Sequence, residues 1–530
     1  MNSLIVVFIA VLLFWLGYRF YSRKLEKLWE VSAKNVTPAI SQFDGVDYVP
    51  AKNWLVLFGH HFASIAGAGP IIGPVIAVIL WGWFPALIWV VFGTIFIGGV
   101  HDYGALLTSV RQNGRSIADI AEETISRRAK IIFSCFVWLA LVLVIAVFTY
   151  FCADTFVKAP QIVLPSLGLI PVAMLIGFML YHLRTNSVFT TILGLCLLTG
   201  LIFLGNIFPI QIGDNALLIW SIVLLTYSYL ASILPVNILL QPRDYLSSFL
   251  LFAGVGFGYL GILILRPQIS GPAYISWNTK EGYLWPMLCV TIACGAISGF
   301  HALIASGTSS KQIASEIDAK KIGYGGMVAE GVVAVLAVLA ISAGLISQNL
   351  QVSLKEIGPI RLFGQGYDVI AKPILGKFGS FIAITILNAF ILTTLDTATR
   401  IGRYLTEELF GIKNRYLSTF LVVLAGGSLA LSGKWNKIWP AFGASNQLVA
   451  ALALLVISCW LLARKKTTRY TLFPAIFMLV TTIVALIFQF VRYLKDNDCI
   501  LIFVTLALII LAIFMIKEVI IVFRKVRRNV

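Results

Sequence analysis

Residues 59–74 read GHHFASIAGAGPIIGP, and they stand in the middle of a long apolar run. About 20 apolar residues are enough to cross the roughly 30 Å core of a bilayer as a helix. Between positions 67 and 74, however, the run holds three glycines and two prolines. Pro70 lacks a backbone N–H and clashes with the preceding turn, and Gly67 and Gly69 allow backbone angles that other residues avoid. The stretch therefore predicts a membrane helix that is interrupted near its middle.

The composition of the whole chain supports a membrane setting. Of its 530 residues 59% are hydrophobic and 12% are charged, and the mean hydropathy is +0.93. No soluble domain could bury so much apolar surface. We predict an all-α polytopic membrane protein with about 15 transmembrane helices, near residues 2–18, 54–80, 84–109, 131–154, 166–182, 187–208, 216–239, 246–265, 283–305, 327–348, 373–396, 416–432, 438–461, 471–491 and 499–516.

The net charge of +17 is distributed unevenly between the loops. Alternating loops place most of the 40 Lys and Arg residues on one side, which by the positive-inside rule is the cytoplasm. This predicts an inner or plasma membrane protein with its N-terminus outside and its C-terminus in the cytoplasm. Residues 1–53 are then a retained first helix and a cytoplasmic loop. The basic tail suits contact with the bilayer surface and does not indicate nucleic-acid binding. The seven scattered cysteines predict neither disulfides nor a structural zinc site.

The interruption in the opening stretch has three interpretations. Small residues can serve close packing between membrane helices. A glycine-rich stretch can also bind phosphate, but the strand and the lysine of a phosphate loop are missing. A discontinuous helix explains the prolines as well, because its half-helix ends present free N–H and C=O groups to a solute or an ion. On that interpretation Gly67, Ala68, Gly69 and Pro70 form part of a substrate site.

Interrupted transporter helices often occur in pairs, as parts of inverted repeats. The span 216–239 contains Pro235 and Asn237 and is predicted as the partner, so both residues are assigned to the substrate site. Five helices in 54–208 and five in 216–396 would then form two sets of opposite orientation. Residues 416–530 would supply accessory helices and the basic tail.

A polar stretch at 294–313 follows in the second set, and it carries Ser306, Thr308 and Ser309 near its end. Hydroxyl oxygens beside broken-helix carbonyls suit a hard cation such as Na⁺. The alternative is an ordinary serine-rich helix end that leads into a loop.

Four of the five histidines, His60, His61, His101 and His301, lie in or near predicted spans, as does Asp102. Ionisable groups inside membranes are costly, so they are candidates for function. Histidine titrates near neutral pH, and these residues therefore suit a proton relay or a gate. The set His60, His61, His101 and Asp102 could instead bind a transition metal such as Zn²⁺. The third interpretation is interfacial histidines that bond to backbone carbonyls.

Further charged residues stand at helix ends. Asp396 has Arg400 four residues later, which predicts either an ion-paired helix end or a gate. Arg243 and Asp244, which follow the predicted partner break, are added to the gating candidates. The polar pair Asn446 and Gln447 lies inside a later span and is predicted to make hydrogen bonds between helices.

Six stretches of the chain together resemble the carbon-starvation protein family (CstA). They are FGHHFASIAGAGPIIGP (58–74), LQPRDYLSSFL (240–250), CGAISGFHALIASGTSSK (294–311), IGYGGMVAE (322–330), LDTATRIGRY (395–404) and WPAFGASNQLVAALAL (439–454). The resemblance implies a membrane transporter related to the LeuT-type inverted-repeat fold. Its members are linked to uptake of peptides or pyruvate, with proton coupling proposed for some. This chain is shorter than long members and has His101 where they have Gln.

Taken together, the sequence predicts a secondary transporter for a small polar metabolite, a peptide or a pyruvate-like carboxylate. The coupling ion is predicted to be H⁺ rather than Na⁺, and no cofactor is required. One alternative is a metal-dependent intramembrane enzyme built on His60, His61 and His101. The other is a channel, although the sequence has no ring-forming polar filter of the kind that channels use.

Overall fold

Helices make up almost all regular structure in the computed structural model, which describes residues 1–45, 48–181, 183, 185–235, 238–345 and 350–528. The first helices are α1 (Ser3–Leu16), α2 (Ser22–Leu28), α3 (Pro38–Ser41), α4 (Trp54–Ile65), α5 (Gly69–Trp81), α6 (Trp83–Gly93), α7 (Gly99–Arg111), α8 (Ile117–Thr124), α9 (Arg127–Lys158), α10 (Val163–Tyr181), α11 (Ser187–Ile207) and α12 (Ala216–Ile233).

The second half of the chain is also mostly helical. Its helices are α13 (Leu240–Leu265), α14 (Leu284–Thr291), α15 (Gly299–Gly307), α16 (Gly325–Gly344), α17 (Leu350–Glu356), α18 (Pro359–Leu375), α19 (Gly379–Phe410), α20 (Arg415–Ala430), α21 (Trp435–Ala463), α22 (Arg469–Lys495) and α23 (Cys499–Arg528). A small antiparallel hairpin precedes α14 and consists of β1 (Asn278–Thr279) and β2 (Gly282–Tyr283). Short π-helical segments occupy Gly17–Tyr21, Thr94–Gly98 and Lys320–Tyr324.

The number and length of the apolar helices make this a polytopic membrane protein, as predicted. Within the described residues, 12 helices are long and apolar enough to cross a membrane, or 13 if the bent pair α4–α5 counts as one span. Two of the predicted spans do not meet that criterion. The span 283–305 is divided into α14 and α15, and the span 416–432 is the 16-residue helix α20.

The apolar stretch from Pro359 to Phe410 is not one straight helix. Gly376 has φ +55°, a conformation that glycine adopts readily, and the chain turns there. The backbone N–H of Ser380 donates to Asp368 Oδ1 at 3.0 Å, so α18 packs back against α19.

The ends of the long helices define two faces of the molecule. At the Trp81 face, the N–H of Ser3 donates to Pro267 O at 3.1 Å, and the N–H of Ile275 donates to Trp81 O at 3.1 Å. At the Glu316 face, the N–H of Ser32 donates to Glu316 Oε2 at 2.9 Å. Ser126 Oγ donates to Glu518 Oε2 at 2.7 Å, which brings the end of α23 to this same face. The beginning of α1 and the end of α23 therefore lie on opposite faces.

The predicted interruption of the opening stretch is present. Helix α4 ends at Ile65 and α5 begins at Gly69, and the two helices are bent by 49°. Pro70 occupies the first turn of α5, where a missing N–H costs nothing. The break is therefore a new helix start rather than a kink in a continuous helix.

The predicted partner break in the span 216–239 is wrong. Helix α12 ends at Ile233, and α13 begins at Leu240, so the proline lies in the connection between two separate helices. Pro235 is exposed there. Asn237 lies outside the described residues. A proline marks the end of a helix as often as a break within one, and the sequence alone did not separate these cases.

A second interruption, the non-helical stretch 292–298 between α14 and α15, lies against the first. The two interruptions cross in close contact. A Cβ atom added at Gly69 would lie 2.5 Å from Cys294 Sγ, and one added at Gly73 would lie 2.5 Å from Thr291 O. The same glycines therefore allow close packing between helices and also lie at or near a break in a helix. Two of the interpretations given above apply together.

We predict that Gly69→Ala destabilises the protein by about 1–3 kcal/mol, because the added methyl group overpacks the crossing. The measurement is thermal unfolding in detergent. Gly59→Ala is the matched control, since a Cβ at Gly59 meets nothing within 4 Å. Cys294→Gly should recover most of the loss when combined with Gly69→Ala. If Gly69→Ala and Gly59→Ala unfold at the same temperature, the close contact between the two interruptions is contradicted.

Candidate functional site

Three helices carry ionisable side chains just beyond an irregular turn. The π-helical segment Thr94–Gly98 precedes α7, the segment Lys320–Tyr324 precedes α16, and the second break precedes α15. Irregular turns of this kind shift the register of the residues that follow and often mark functional sites. Here the shift brings charged residues of α7, α15 and α16 together in the interior.

Four of these side chains form a fully buried network. His101 Nδ1 lies 2.7 Å from Asp102 Oδ1, and His301 Nδ1 lies 2.8 Å from Asp102 Oδ2. On its other side, His301 Nε2 lies 2.9 Å from Glu330 Oε2. All four side chains have zero exposure. Asp102 thus joins two imidazoles, and His301 bridges two carboxylates.

The network leaves hydrogen-bonding capacity unused. The His301–Glu330 contact has the distance of an ion pair, but its angles are not those of a hydrogen bond. Within the described structure, both carboxylate oxygens of Glu330 and the Nε2 of His101 have no hydrogen-bond partner. Buried polar groups are rarely left in this state without a functional reason. Among the described residues, the network therefore has unpaired acceptor atoms and an unpaired ring nitrogen in its interior.

His61 connects the first broken helix to the loop after α15. Its Nδ1 lies 2.7 Å from Ser309 Oγ, and both side chains are buried. His60 is only partly buried, and its Nε2 has no hydrogen-bond partner among the residues described. The structure therefore brings His101, Asp102 and His301 into one network, places His61 with Ser309, and leaves His60 outside both.

Two of the three hydroxyl groups predicted to bind a cation, those of Ser306 and Thr308, donate to their own helix. Ser306 Oγ donates to Ala302 O at 2.6 Å, and Thr308 Oγ1 donates to Ile304 O at 3.0 Å. Ser306 Oγ also accepts the N–H of Ile117 at 3.3 Å. These contacts are those of a helix end that packs against a neighbour.

A metal site would need several ligands that converge on one point. In the part of the chain that the structure describes, no group of three or more His, Cys, Asp or Glu side chains has that arrangement. His60 and His61 extend from α4 in different directions, because neighbours on a helix are about 100° apart. The described geometry therefore gives no support to the metal-dependent alternative.

A second buried cluster surrounds Arg243 at the start of α13. Its guanidinium bonds to Asp396 through Nη1 and lies 3.3 Å from Asp244 Oδ1 through Nη2. Tyr227 Oη donates to Asp396 Oδ2 at 2.7 Å and accepts from Arg243 Nη1 at 2.6 Å. The cluster joins α12, α13 and α19.

The expected pairing of Asp396 with Arg400 is wrong. Arg400 Nη2 donates to Ala231 O at 2.7 Å and to Leu234 O at 2.5 Å, so it satisfies the carbonyl groups at the end of α12. Helical spacing predicted a local partner, but Arg243 comes from another helix and takes Asp396 instead.

Gly67 lines a small apolar cavity beside the first break. The cavity has about 30 Å³ of free space, room for about two water molecules. A Cβ added at Gly67 would lie 2.6 Å from Thr394 Oγ1 of α19. Ala68, Gly69 and Pro70 are buried, and Gly69 packs against the second break. Of the predicted substrate residues that the structure describes, Gly67 alone lines this cavity.

A larger cavity opens at the Trp81 face. It measures about 540 Å³, and its lining includes Leu80, Lys280, Gln351, Asn436 and, at the end of α14, Thr291. It therefore reaches from the surface to the residue that precedes the second break.

Comparison with known proteins assigns this arrangement to a family. The family described as Carbon starvation protein CstA matches residues 2–358 and 346–485. The chain belongs to the carbon starvation protein CstA family. The CstA relatives include the Escherichia coli pyruvate/proton symporter BtsT, which is 30% identical over 92% of this chain and 81% of its own length.

Two proteins named peptide transporter CstA are similarly close. That of Escherichia coli is 32% identical over 91% of this chain and 80% of its own length, and that of Bacillus subtilis is 30% identical over 91% and 89%. A solved structure, the Eremococcus coleocola manganese transporter in complex with an aromatic bis-isothiourea substituted compound, has a TM-score of 0.54. It covers 94% of this chain and 100% of its own, at 14% identity, which is a likeness of fold alone.

The CstA relatives are named as transporters, so this chain is a membrane transporter and not an enzyme. Their bacterial sources support a location in the plasma membrane. Sequence reasoning missed two members of the buried clusters, Glu330 and Tyr227. Glu330 had a signal, because a carboxylate inside a 20-residue apolar helix is a functional candidate. Tyr227 had none, because tyrosine is common in membrane helices.

Asn446 and Gln447 make the predicted bonds between helices. Asn446 Oδ1 accepts the N–H of Phe300 at 3.1 Å, and Gln447 Nε2 donates to Cys289 O at 2.5 Å. Both contacts hold α21 against the second broken helix.

We predict that Asp102→Asn destabilises the protein by about 3–5 kcal/mol, because it removes the charge that two buried histidines contact. Thermal unfolding in detergent is the measurement. Glu123→Gln, in an ion pair whose side chains are 56% and 47% exposed, is the control and should change stability by about 0–1 kcal/mol. Equal losses in both variants would show that the network contributes no more than a surface pair.

Proposed function

We propose that this CstA-family chain imports a small polar metabolite, a peptide or a pyruvate-like carboxylate, together with protons. The names of its relatives, a pyruvate/proton symporter and peptide transporters, supply the substrate classes. The observation that carries the proposal is the buried network of Asp102, His301 and Glu330, which lies beside the crossing of two interrupted helices.

The proposal includes an inverted repeat of five plus five helices of the LeuT type, with new boundaries. The first set is α4–α5, α6–α7, α9, α12 and α13, and the second is α14–α15, α16, α19, α20 and α21. These replace 54–208 and 216–396. Each set then begins with an interrupted helix, and the two run in opposite directions. On this proposal α14–α15 and α20 also cross the membrane, and α10–α11 is an inserted hairpin.

Reciprocal packing between the sets supports these boundaries. Helix α5 of the first set packs on α16 of the second, and α15 of the second packs on α7 of the first. Helices α9 and α19, which hold the same place in each set, pack on each other. The likeness of fold to the manganese transporter extends over 94% of the chain, but it says nothing of a shared cargo.

Proton coupling is supported by the charge balance of the network. With both histidines neutral, Asp102 and Glu330 bring two negative charges into a region without solvent, which is costly. Binding a proton reduces that cost. It also strengthens the contacts of His301 with Asp102 of α7 and Glu330 of α16. Because α15 follows the second break directly, a proton that binds here favours one arrangement of the broken helices over another.

The two cavities support a direction for the path. The solute would enter from the 540 Å³ cavity at the Trp81 face, which ends near the second break. The Arg243–Asp396 cluster would close the route toward the Glu316 face. With the basic loops taken as cytoplasmic, this is a transporter that is closed toward the cytoplasm.

We predict that Glu330→Gln abolishes proton-driven accumulation but keeps exchange of labelled solute. The loss of accumulation should be at least tenfold, because residue 330 can no longer bind or release a proton. The assay uses proteoliposomes with an imposed pH gradient and labelled pyruvate or alanyl-alanine, and Glu123→Gln is the control. Accumulation that follows a Na⁺ gradient and ignores the pH gradient would favour the hydroxyl groups of Ser306 and Thr308 as the coupling site.

We predict that a tag before Met1 is external and that a tag after Val530 is cytoplasmic. The measurement compares protease access to each tag in intact and in permeabilised cells. Finding the Val530 tag outside would reverse the proposed direction, although the path between the two faces would remain the same.

A further inference from the structure

Arg243 is a cation whose side chain lies entirely inside the protein. Its side chain has zero exposure, and it stands in the first turn of α13, between α12 and α19. Burial of a guanidinium is costly unless its donors are well paired. The pairing around Arg243 therefore indicates what the charge is for.

That pairing is incomplete. Asp396 accepts from Arg243 with one oxygen only, whereas a carboxylate and an arginine can form two parallel hydrogen bonds. Of the atoms that the structure describes, Arg243 Nε, Asp396 Oδ1 and Ser247 Oγ are buried and have no hydrogen-bond partner. Ser247 lies one turn beyond Arg243 on the same side of α13. Among these described atoms, the ion pair thus leaves one donor of the guanidinium and one acceptor of the carboxylate unused, with an unpaired hydroxyl one turn away.

The cluster shares two helices with the lining of the Gly67 cavity. Helices α13 and α19, which carry Arg243 and Asp396, also line that cavity through Leu251 and Phe390. Asp396 is about 9 Å farther along α19 than Phe390, toward the Glu316 face. A solute that moved along α19 from the cavity toward that face would reach the level of Arg243.

Arg400 lies one turn beyond Asp396 on α19 and has partners of a different kind. Its Nη2 binds two backbone carbonyls at the end of α12, which is a structural task. Arg243 binds no backbone carbonyl in the described contacts. Its partners are two carboxylates and a phenol, which are groups that an incoming carboxylate can replace.

We propose that Arg243 binds the carboxylate of the transported solute and that Asp396 occupies this position while no solute is bound. The inference rests on the proposed function and names the group that recognises its substrate class. An organic acid or the C-terminus of a short peptide would form the two-bond contact through Nε and one Nη of Arg243. Ser247 Oγ is placed to donate a further hydrogen bond.

The test compares acids with their uncharged esters. The probes are pyruvate with methyl pyruvate and alanyl-alanine with its methyl ester, and binding is measured on purified protein. The wild type should bind at least one acid at least tenfold more tightly than its ester. Arg243→Gln should remove that preference. Arg403→Gln, which changes a nearly buried arginine of α19 that pairs with Glu407, should keep it.

Asp396→Asn separates recognition from a purely structural ion pair. If Asp396 only holds the place of the solute, its removal leaves Arg243 free, and the acid should bind as tightly as to the wild type or several-fold more tightly. A structural pair or a simple gate requires Arg243→Gln and Asp396→Asn to have the same effect, and that result would overturn the proposal.

Folding of the variants is controlled by the double variant Arg243→Gln, Asp396→Asn, which removes both charges of the Arg243–Asp396 pair. It should remain monodisperse and show no preference for the acid. A retained preference in this variant would overturn the proposal. If the wild type binds and transports none of the acids or esters, the proposed function itself fails, and this result is distinct because it concerns the unmodified chain.

Discussion

The structure depends on two interrupted helices that cross with almost no space between them. Gly69 faces Cys294 and Gly73 faces the carbonyl of Thr291, at distances that a side chain on either glycine would violate. A backbone without helical bonds survives inside a membrane protein only where other protein covers it. Each break covers the other here, and the His301 network follows directly from the second break.

Both clusters place charge beside a break. One joins α7, α15 and α16 through Asp102 and His301, and the other joins α12, α13 and α19 through Arg243. Each contains buried atoms without hydrogen-bond partners, which lowers stability relative to an apolar core. Proteins retain such defects chiefly at functional sites, and these two clusters have in common that each links three helices.

The sequence predicted local features well and distant ones poorly. The first break was predictable because Pro70 and its neighbouring glycines act on their own backbone. The second was missed because residues 292–298 contain no proline, and their shape depends on packing against α5. Pro235 gave a wrong signal, since the end of a helix and a break in a helix use the same residue. Arg243 could not be assigned to Asp396 because the two are 153 residues apart.

The segment that follows α2 donates hydrogen bonds to the buried carboxylate of Glu316. Arg111 of α7 lies 2.5 Å from Glu316, and Asn35 Nδ2 donates to it at 2.6 Å. Burial raises the pKa of this carboxyl, but the hydrogen bonds from Arg111, the Ser32 N–H and Asn35 outweigh that effect, and the pKa lies below its usual value. The group is therefore charged at neutral pH.

These hydrogen bonds oppose separation of the elements that meet at Glu316. Any motion that separates α7 from the loop after α15 at the Glu316 face must pull a charged carboxylate out of its bonds. Charge-assisted hydrogen bonds are stronger than neutral ones, so these contacts stabilise the present arrangement of the Glu316 face. Residues 32–35, which follow α2, thereby tie the N-terminal part of the chain to the loop after α15.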